Sequence, residues 1–237
     1  SESKPHTDSA KPRPLVAAFF SLCENRAVRM LGPEIFVPAV WLFGRAYFGV
    51  RFEGVENIPP EGPLIIASNH VTYADPPLIS LAVRRPIYFM AWRRLFDVPL
   101  FGSLIRFLRA FPLETESADP TAVRGAARLL KAGQAVMIFP EGGRTPDGRL
   151  QRFKPGAFRL ACSQGAAILP VTIVGGHESW PPRRVLPRPG RITIVYHPPV
   201  APASGVPPRV AAPELARQVR AVIASRLPPH QQPLDGD

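Results

Sequence analysis

His70 and Asp75 lie in the stretch SNHVTYADP, directly after the short apolar run LIIAS (64–68). A neutral histidine near pH 7 accepts a proton from a hydroxyl or thiol. A carboxylate on its other ring nitrogen fixes the tautomer and supports the imidazolium as it forms. A loop brings two such residues together at this spacing, whereas a helix turns them to poorly matched faces. Pro76 and Pro77 suit the first turn of a following helix, so Asp75 also reads as a plain N-cap. No covalent nucleophile accompanies the pair. Ser68 sits in the run before it without a G-x-S-x-G elbow, and Cys162 reads as a packed small hydrophobe.

A second cluster, FPEGGRT (139–145), follows another apolar run, AVMIFP (135–140). The glycines after Glu141 permit a tight turn and close backbone approach to a ligand. Arg144 is suited to clamp an anion through two donors, and Glu141 to orient it or a substrate hydroxyl. RFKPGAF (152–158) then places Arg152 and Lys154 before a helix start. The bland reading is a surface turn laced by salt bridges. A phosphate loop of the G-x-x-x-x-G-K-[ST] type is absent, which argues against a nucleoside triphosphatase.

Both clusters need elements to hold them. Apolar runs at 64–68, 86–90, 109–113, 135–140, 166–174 and 191–197 predict strands. Helical spacing with glycine stops predicts helices at 118–133 and 155–165, and a terminal helix at 212–227. Continuous apolar strands separated by helices predict an α/β fold: a mixed, largely parallel central sheet with helices on both faces. If His70 ends its strand, it lies at the carboxyl edge, where open α/β sheets bind ligands. Residues 1–11 and 228–237 are expected to be disordered tails. Residues 12–50 form an expected N-terminal helical element ahead of an α/β domain over 51–227. Its second half, EIFVPAVWLFGRAYFGV, is apolar and aromatic and suits a membrane interface, with Trp41, Phe43, Tyr47 and Phe48 as the contact residues. Packing over the main domain is the other reading of this segment.

The bulk numbers agree with one domain of 237 residues. Net charge is +11, and the only lysines are Lys4, Lys11, Lys131 and Lys154, so the cation is mostly arginine. Such a surplus favours an anionic partner: nucleic acid, an acidic membrane surface or a phosphorylated substrate. PPRRVLPRPGR (181–191) reads as an exposed basic loop. Two cysteines cannot form a disulfide framework, which favours a reducing compartment. No apolar stretch has the roughly 20 residues of a membrane span, and SESKPHTDSAKPRP lacks the apolar region of a secretory signal. A nucleic-acid binder is a weak rival, because the arginines are dispersed and no helix-turn-helix, zinc spacing or paired aromatic motif appears.

Asn69, His70 and Asp75, followed by Phe139, Pro140, Glu141, Gly142 and Arg144, resemble the paired motifs of the glycerolipid acyltransferase family. FKPGA (153–157) and Leu169-Pro170-Val171 extend the resemblance, which covers about residues 50–200. It implies transfer of a fatty acyl group from acyl-CoA or acyl carrier protein to the hydroxyl of a lysophospholipid, foremost 1-acyl-glycerol-3-phosphate. The enzyme would use no cofactor and no metal, and would sit on the cytoplasmic face of an anionic membrane. His70 would be the general base and Asp75 its partner. Asn69, Glu141, Gly142, Arg144, Lys154 and Arg109 would bind substrate. One departure stands out: RAFPLET (109–115) ends in Thr115 where the family carries an arginine. Arg109 and Arg106 are the nearby cations that would replace it, or the acceptor is another lysolipid, such as a lyso-aminolipid. A non-catalytic membrane-binding module and a hydrolase on the same scaffold are the remaining rivals.

Overall fold

A computed structural model describes residues 37–113 and 120–234. The expected tail at 1–11, the segment 12–36 and Thr115 lie outside these residues. Seven strands are described: β1 (Arg51–Glu53), β2 (Leu64–Ser68), β3 (Ile87–Trp92), β4 (Ala110–Leu113), β5 (Ala135–Ile138), β6 (Ala167–Val174) and β7 (Thr193–Tyr196). They form one sheet in the order β1-β7-β6-β2-β5-β3-β4. Every neighbouring pair is parallel except β6 and β7. The sheet is thus mixed and largely parallel, as expected.

β2 lies in the middle and is buried along its whole length. Side chains alternate across a strand, so Ile65 and Ala67 face one layer and Leu64 and Ile66 the other. The first layer is closed by α4 (Pro120–Lys131), α5 (Gly156–Gln164) and α7 (Pro208–Ala224), through Ala126, Leu130, Phe158, Leu215 and Val219 among others. The second is closed by α1 (Val37–Phe48) and α2 (Asp75–Ser80), through Phe48, Leu78 and Ile79. A continuous apolar strand reads as it does because both of its faces are covered. α3 (Phe101–Phe107) packs beside β4 over Phe96, Ile105 and Ala110, and a short α6 (Gly176–Ser179) follows β6.

Three expectations change. α7 starts at Pro208 and runs through Pro213; a proline in the second turn gives up one hydrogen bond without ending the helix, so 212 is not its start. Phe48 is not a membrane contact. It is 3% exposed, because the last turn of α1 packs onto the sheet rather than standing clear of it. Tyr47 is half-buried and its hydroxyl donates to Pro187 O at 3.1 Å. Finally, residues 228–234 are not a loose tail. Gln231 is buried, its carbonyl accepts from Leu150 N at 3.0 Å, and Gln232 Nε2 donates to Ala224 O and Leu227 O at the end of α7. The Gln232 side chain thus caps carbonyls at the end of the helix.

α2, which carries Asp75, is tied to β7 by a side-chain hydrogen bond within the layer they share. Tyr196 of β7 is 1% exposed, and its hydroxyl donates to Ile79 O at 2.6 Å. Tyr196→Phe removes that donor while keeping the ring, and is expected to cost about 1–2 kcal/mol. Urea unfolding of the two proteins measures the loss.

Candidate active site

β2 and β5 are adjacent and parallel, so the loops that leave their carboxyl ends meet. The loop after β2 supplies His70 and Asp75, and the loop after β5 supplies Glu141 and Arg144. His70 Nδ1 stands 2.8 Å from Asp75 Oδ2. The same oxygen accepts from Val71 N at 2.7 Å and Thr72 N at 2.9 Å, while Oδ1 accepts from Thr72 Oγ1 at 2.7 Å. Thr72 Oγ1 in turn accepts from Ala74 N. Asp75 is fully buried, and its carboxylate folds the loop back on itself. It is the first residue of α2, behind Ala74 at the cap position. The plain N-cap reading therefore fails, since these donors belong to the preceding loop and to the imidazole.

With Nδ1 donating to the carboxylate, Nε2 is the ring nitrogen left to accept a proton. The ring is 19% exposed and stacks on Phe139 with centroids 3.9 Å apart and planes 17° apart. The backbone of His70 is held as well: its N–H donates to Glu141 Oε1 at 2.7 Å and its carbonyl accepts from Thr145 N at 2.9 Å. Glu141 Oε2 accepts from Gln151 N at 2.9 Å. Glu141 is thus a buried bracket between two loops, not a group facing a ligand. Burial pushes its carboxyl from 4.5 up to about 7, with Asp75 adding to the push and the two amides and Arg220 opposing it.

Arg144 lies with its guanidinium carbon 3.5 Å above the Tyr73 ring, a cation–π contact. Its Nη1 is buried without a hydrogen-bond partner among the described residues. Such a donor, held in place and unspent, suits an anion. Lys154 lies against the same turn: its N–H donates to Pro140 O at 2.8 Å, and its ammonium crosses the face of Gly142 so closely that a Cβ there would collide with it. Gly142 also has φ +80°, where a side chain is strained.

Besides Glu141, two residues expected to bind substrate are placed elsewhere. Asn69 is 2% exposed and spends its amide on the backbone of β6, donating to Ile173 O at 2.9 Å and accepting from Ile173 N at 2.8 Å. It clamps the end of β2 to its neighbour. Arg109 precedes β4, whose Ala110 is in register with Phe89, Met137 and Ile66. It is therefore level with Ile65, about 10 Å short of the carboxyl end of β2 at Ser68 at about 3.3 Å per residue, and three strands away. Its φ of +64° marks the tight reversal out of α3. Cys162 is half-buried against the core and burial raises its thiol, in keeping with a packed hydrophobe. Thr72, Tyr73, Gln151 and Arg220 join the site without having been singled out. Thr72 carried a signal, a hydroxyl three residues before a carboxylate in a turn. Gln151 and Arg220 carried none. Among the described residues no group of three or more His, Cys, Asp and Glu is placed to hold a metal.

A protein-family model described as Acyltransferase matches residues 49–174, more than half of the chain. The chain belongs to the acyltransferase family. Both motif clusters fall inside the matched span. A Pseudomonas aeruginosa 1-acyl-sn-glycerol-3-phosphate acyltransferase is 33% identical over 196 residues, 80% of this chain and 73% of that one. A chloroplastic enzyme of the same name from Arabidopsis thaliana is 30% identical over 70% of this chain and 48% of its own length. One from Chlamydomonas reinhardtii is 31% identical over 77% and 54%. The chain thus spans about half the length of these last two relatives. Among solved structures of the acyltransferase family, the 1-acyl-sn-glycerophosphate acyltransferase PlsC from Thermotoga maritima superposes with a TM-score of 0.66 at 26% identity, covering 88% of this chain and 92% of that one.

The raised Glu141 carboxyl has a consequence for stability. The folded protein keeps that proton up to about 7, whereas an unfolded glutamate releases it near 4.5. Protonation favours the fold, so the gain is complete below 4.5 and is lost as pH rises through about 7. Urea unfolding from pH 4.5 to 8 should show the wild type losing about 3 kcal/mol relative to Glu141→Gln across that window.

Proposed function

We propose that this protein is an O-acyltransferase that moves a fatty acyl group from acyl-CoA or acyl carrier protein to the hydroxyl of a lysophospholipid. The acceptor is 1-acyl-glycerol-3-phosphate and the product phosphatidic acid. The observation that carries this reading is His70, oriented by a fully buried carboxylate, on a loop whose Tyr73 ring lies under the Arg144 guanidinium with its Nη1 unpartnered among the described residues. Family membership and the activities of the named relatives support it.

In this scheme Arg144, with Lys154 beside it, binds the acceptor's phosphate and brings its hydroxyl to His70 Nε2. The imidazole takes the hydroxyl proton as the oxygen attacks the thioester carbonyl, and Asp75 stabilises the imidazolium. The C–S bond then breaks as the carbonyl re-forms. His70 returns its proton to the departing thiolate, leaving free thiol, diacyl lipid and neutral histidine. No covalent enzyme intermediate is needed. Phe139 and the Glu141 bracket keep the ring in this geometry, and positioning of that kind is a large share of catalysis.

Thr115 favours a second acceptor reading, in which a different lysolipid, such as a lyso-aminolipid, replaces the lysophosphatidate. For either acceptor the work site is a membrane, with the cytoplasmic face of an anionic bilayer as the setting. Trp41 (42% exposed) and Phe43 (54%) lie outward on α1 with Leu42 beside them, next to an arginine-rich chain. No helix among the described residues is long and apolar enough to cross a membrane, so attachment through these residues is to the interface. The α/β domain over 51–227 carries the chemistry and α1 carries its footing.

Mass spectrometry of products from palmitoyl-CoA or palmitoyl-acyl carrier protein and a panel of lysolipids tests the reaction. One new diacyl lipid is expected. It should vanish with His70→Ala and form about 10²–10⁴-fold more slowly with Asp75→Asn. No product from any acceptor with either donor would overturn the reading.

The phosphate role predicts a different signature. Arg144→Gln should raise KM for lysophosphatidate about tenfold or more, by loss of a charge-assisted contact, and change KM little for an acceptor that lacks a phosphate monoester. Steady-state kinetics with both acceptors reads this directly.

A further inference from the structure

The segment 181–191, between α6 and β7, takes no part in the scheme above, yet it is held in a definite shape. Arg184 N donates to Pro181 O at 3.0 Å, Trp180 Nε1 to Arg184 O at 3.0 Å, and Arg188 N to Ser179 O at 2.9 Å. Arg188 Nε donates to Glu178 O, Arg184 Nε to Leu186 O, and Tyr47 Oη to Pro187 O. The result of this bracing is exposure. Val185 is 87% and Leu186 72% accessible, at the outermost part of the loop. Single exposed apolar residues are ordinary; an adjacent pair displayed by a braced, proline-bounded loop is a shaped surface. Arg183, Arg184, Arg188 and Arg191 surround it, all exposed, and the segment holds no acidic residue.

What covers this surface follows from its neighbours. On one side Pro187 is bonded to Tyr47, which stacks on Phe43 with centroids 5.2 Å apart, so the loop continues the outward apolar edge of α1. On the other, Trp180 at its root lies 5.9 Å from Tyr73, the ring beneath Arg144. An apolar tip ringed by arginines matches a bilayer with anionic headgroups: the tip replaces water with acyl chain and the guanidinium groups meet phosphates.

We propose that residues 181–191 are a membrane-inserting loop. Val185 and Leu186 enter the acyl region of an anionic bilayer while the four arginines pair with lipid phosphates. The loop and α1 then make two footings, and Arg144 over Tyr73 lies at headgroup depth beside them. The proposal rests on the lysolipid reading above and deepens it by naming how the site is seated.

The test uses the full chain and flotation with vesicles of phosphatidylcholine alone or in equimolar mixture with phosphatidylglycerol. V185S/L186S should partition about thirtyfold less onto the mixed vesicles, from two lost apolar side chains, with an unchanged melting temperature because both are solvent-exposed. R183Q/R191Q should lose several-fold on the mixed vesicles and nothing on phosphatidylcholine. Wild-type partitioning by V185S/L186S would overturn the proposal. So would a wild type that ignores vesicles but shifts an RNA probe. Turnover of acceptor dispersed below its micellar concentration separates the two readings. Absence of turnover there and on vesicles defeats acyl transfer, whereas normal turnover with unaltered vesicle binding by V185S/L186S defeats the loop alone.

Discussion

The Asp75 carboxylate gathers four donors: the imidazole of His70, the amides of Val71 and Thr72, and the Thr72 hydroxyl. A buried anion is costly unless its lone pairs are met. Here meeting them dictates the path of the loop, because all four donors come from three consecutive residues, 70 to 72. The turn, the tautomer of the histidine and the start of α2 are therefore one decision. The Tyr196–Ile79 bond and the packing of Leu78 and Ile79 then hold that helix against the sheet.

The second carboxylate, Glu141, works from below. It takes no part in a partner's chemistry but joins the main chain of His70 to that of Gln151, so two loops from adjacent strands move as one piece. Asn69 does the same on the other flank, toward β6. The histidine is thus fixed from three neighbouring strands, while Arg144, resting on an aromatic ring, keeps donor capacity in reserve. Rigidity is concentrated under the His70 ring, and the unpartnered donor of Arg144 lies over the Tyr73 ring of the same loop.

Much of this was legible because burial on both faces writes continuous apolar runs. The cores of β2, β5 and β6 follow the runs closely, and α4 and α5 match their helical spacing and glycine stops. The pairing of His70 with Asp75 was legible from residue type and spacing. Arg109 was misplaced because sequence proximity to a strand says nothing about which end of that strand faces the site; the register with Ile66 decides it. Asn69 was misread because an asparagine beside a histidine looks the same whether its amide meets a ligand or a neighbouring strand. Phe48 was misread because an apolar helix does not announce where it leaves the surface. Gln151 and Arg220 reach the site only through the fold.

β1 has one sheet neighbour among the described residues, β7, and the Tyr47–Pro187 bond beside that pair joins residues 140 positions apart. A ladder of such separation closes late, because chain entropy has to be lost before contacts repay it. On the ribosome the β1 edge waits for nearly the whole domain to be synthesised. Through that interval the end of α1 lacks the loop and strand edge that later hold it, so its closing turn can settle onto the sheet only once the last strand has been made.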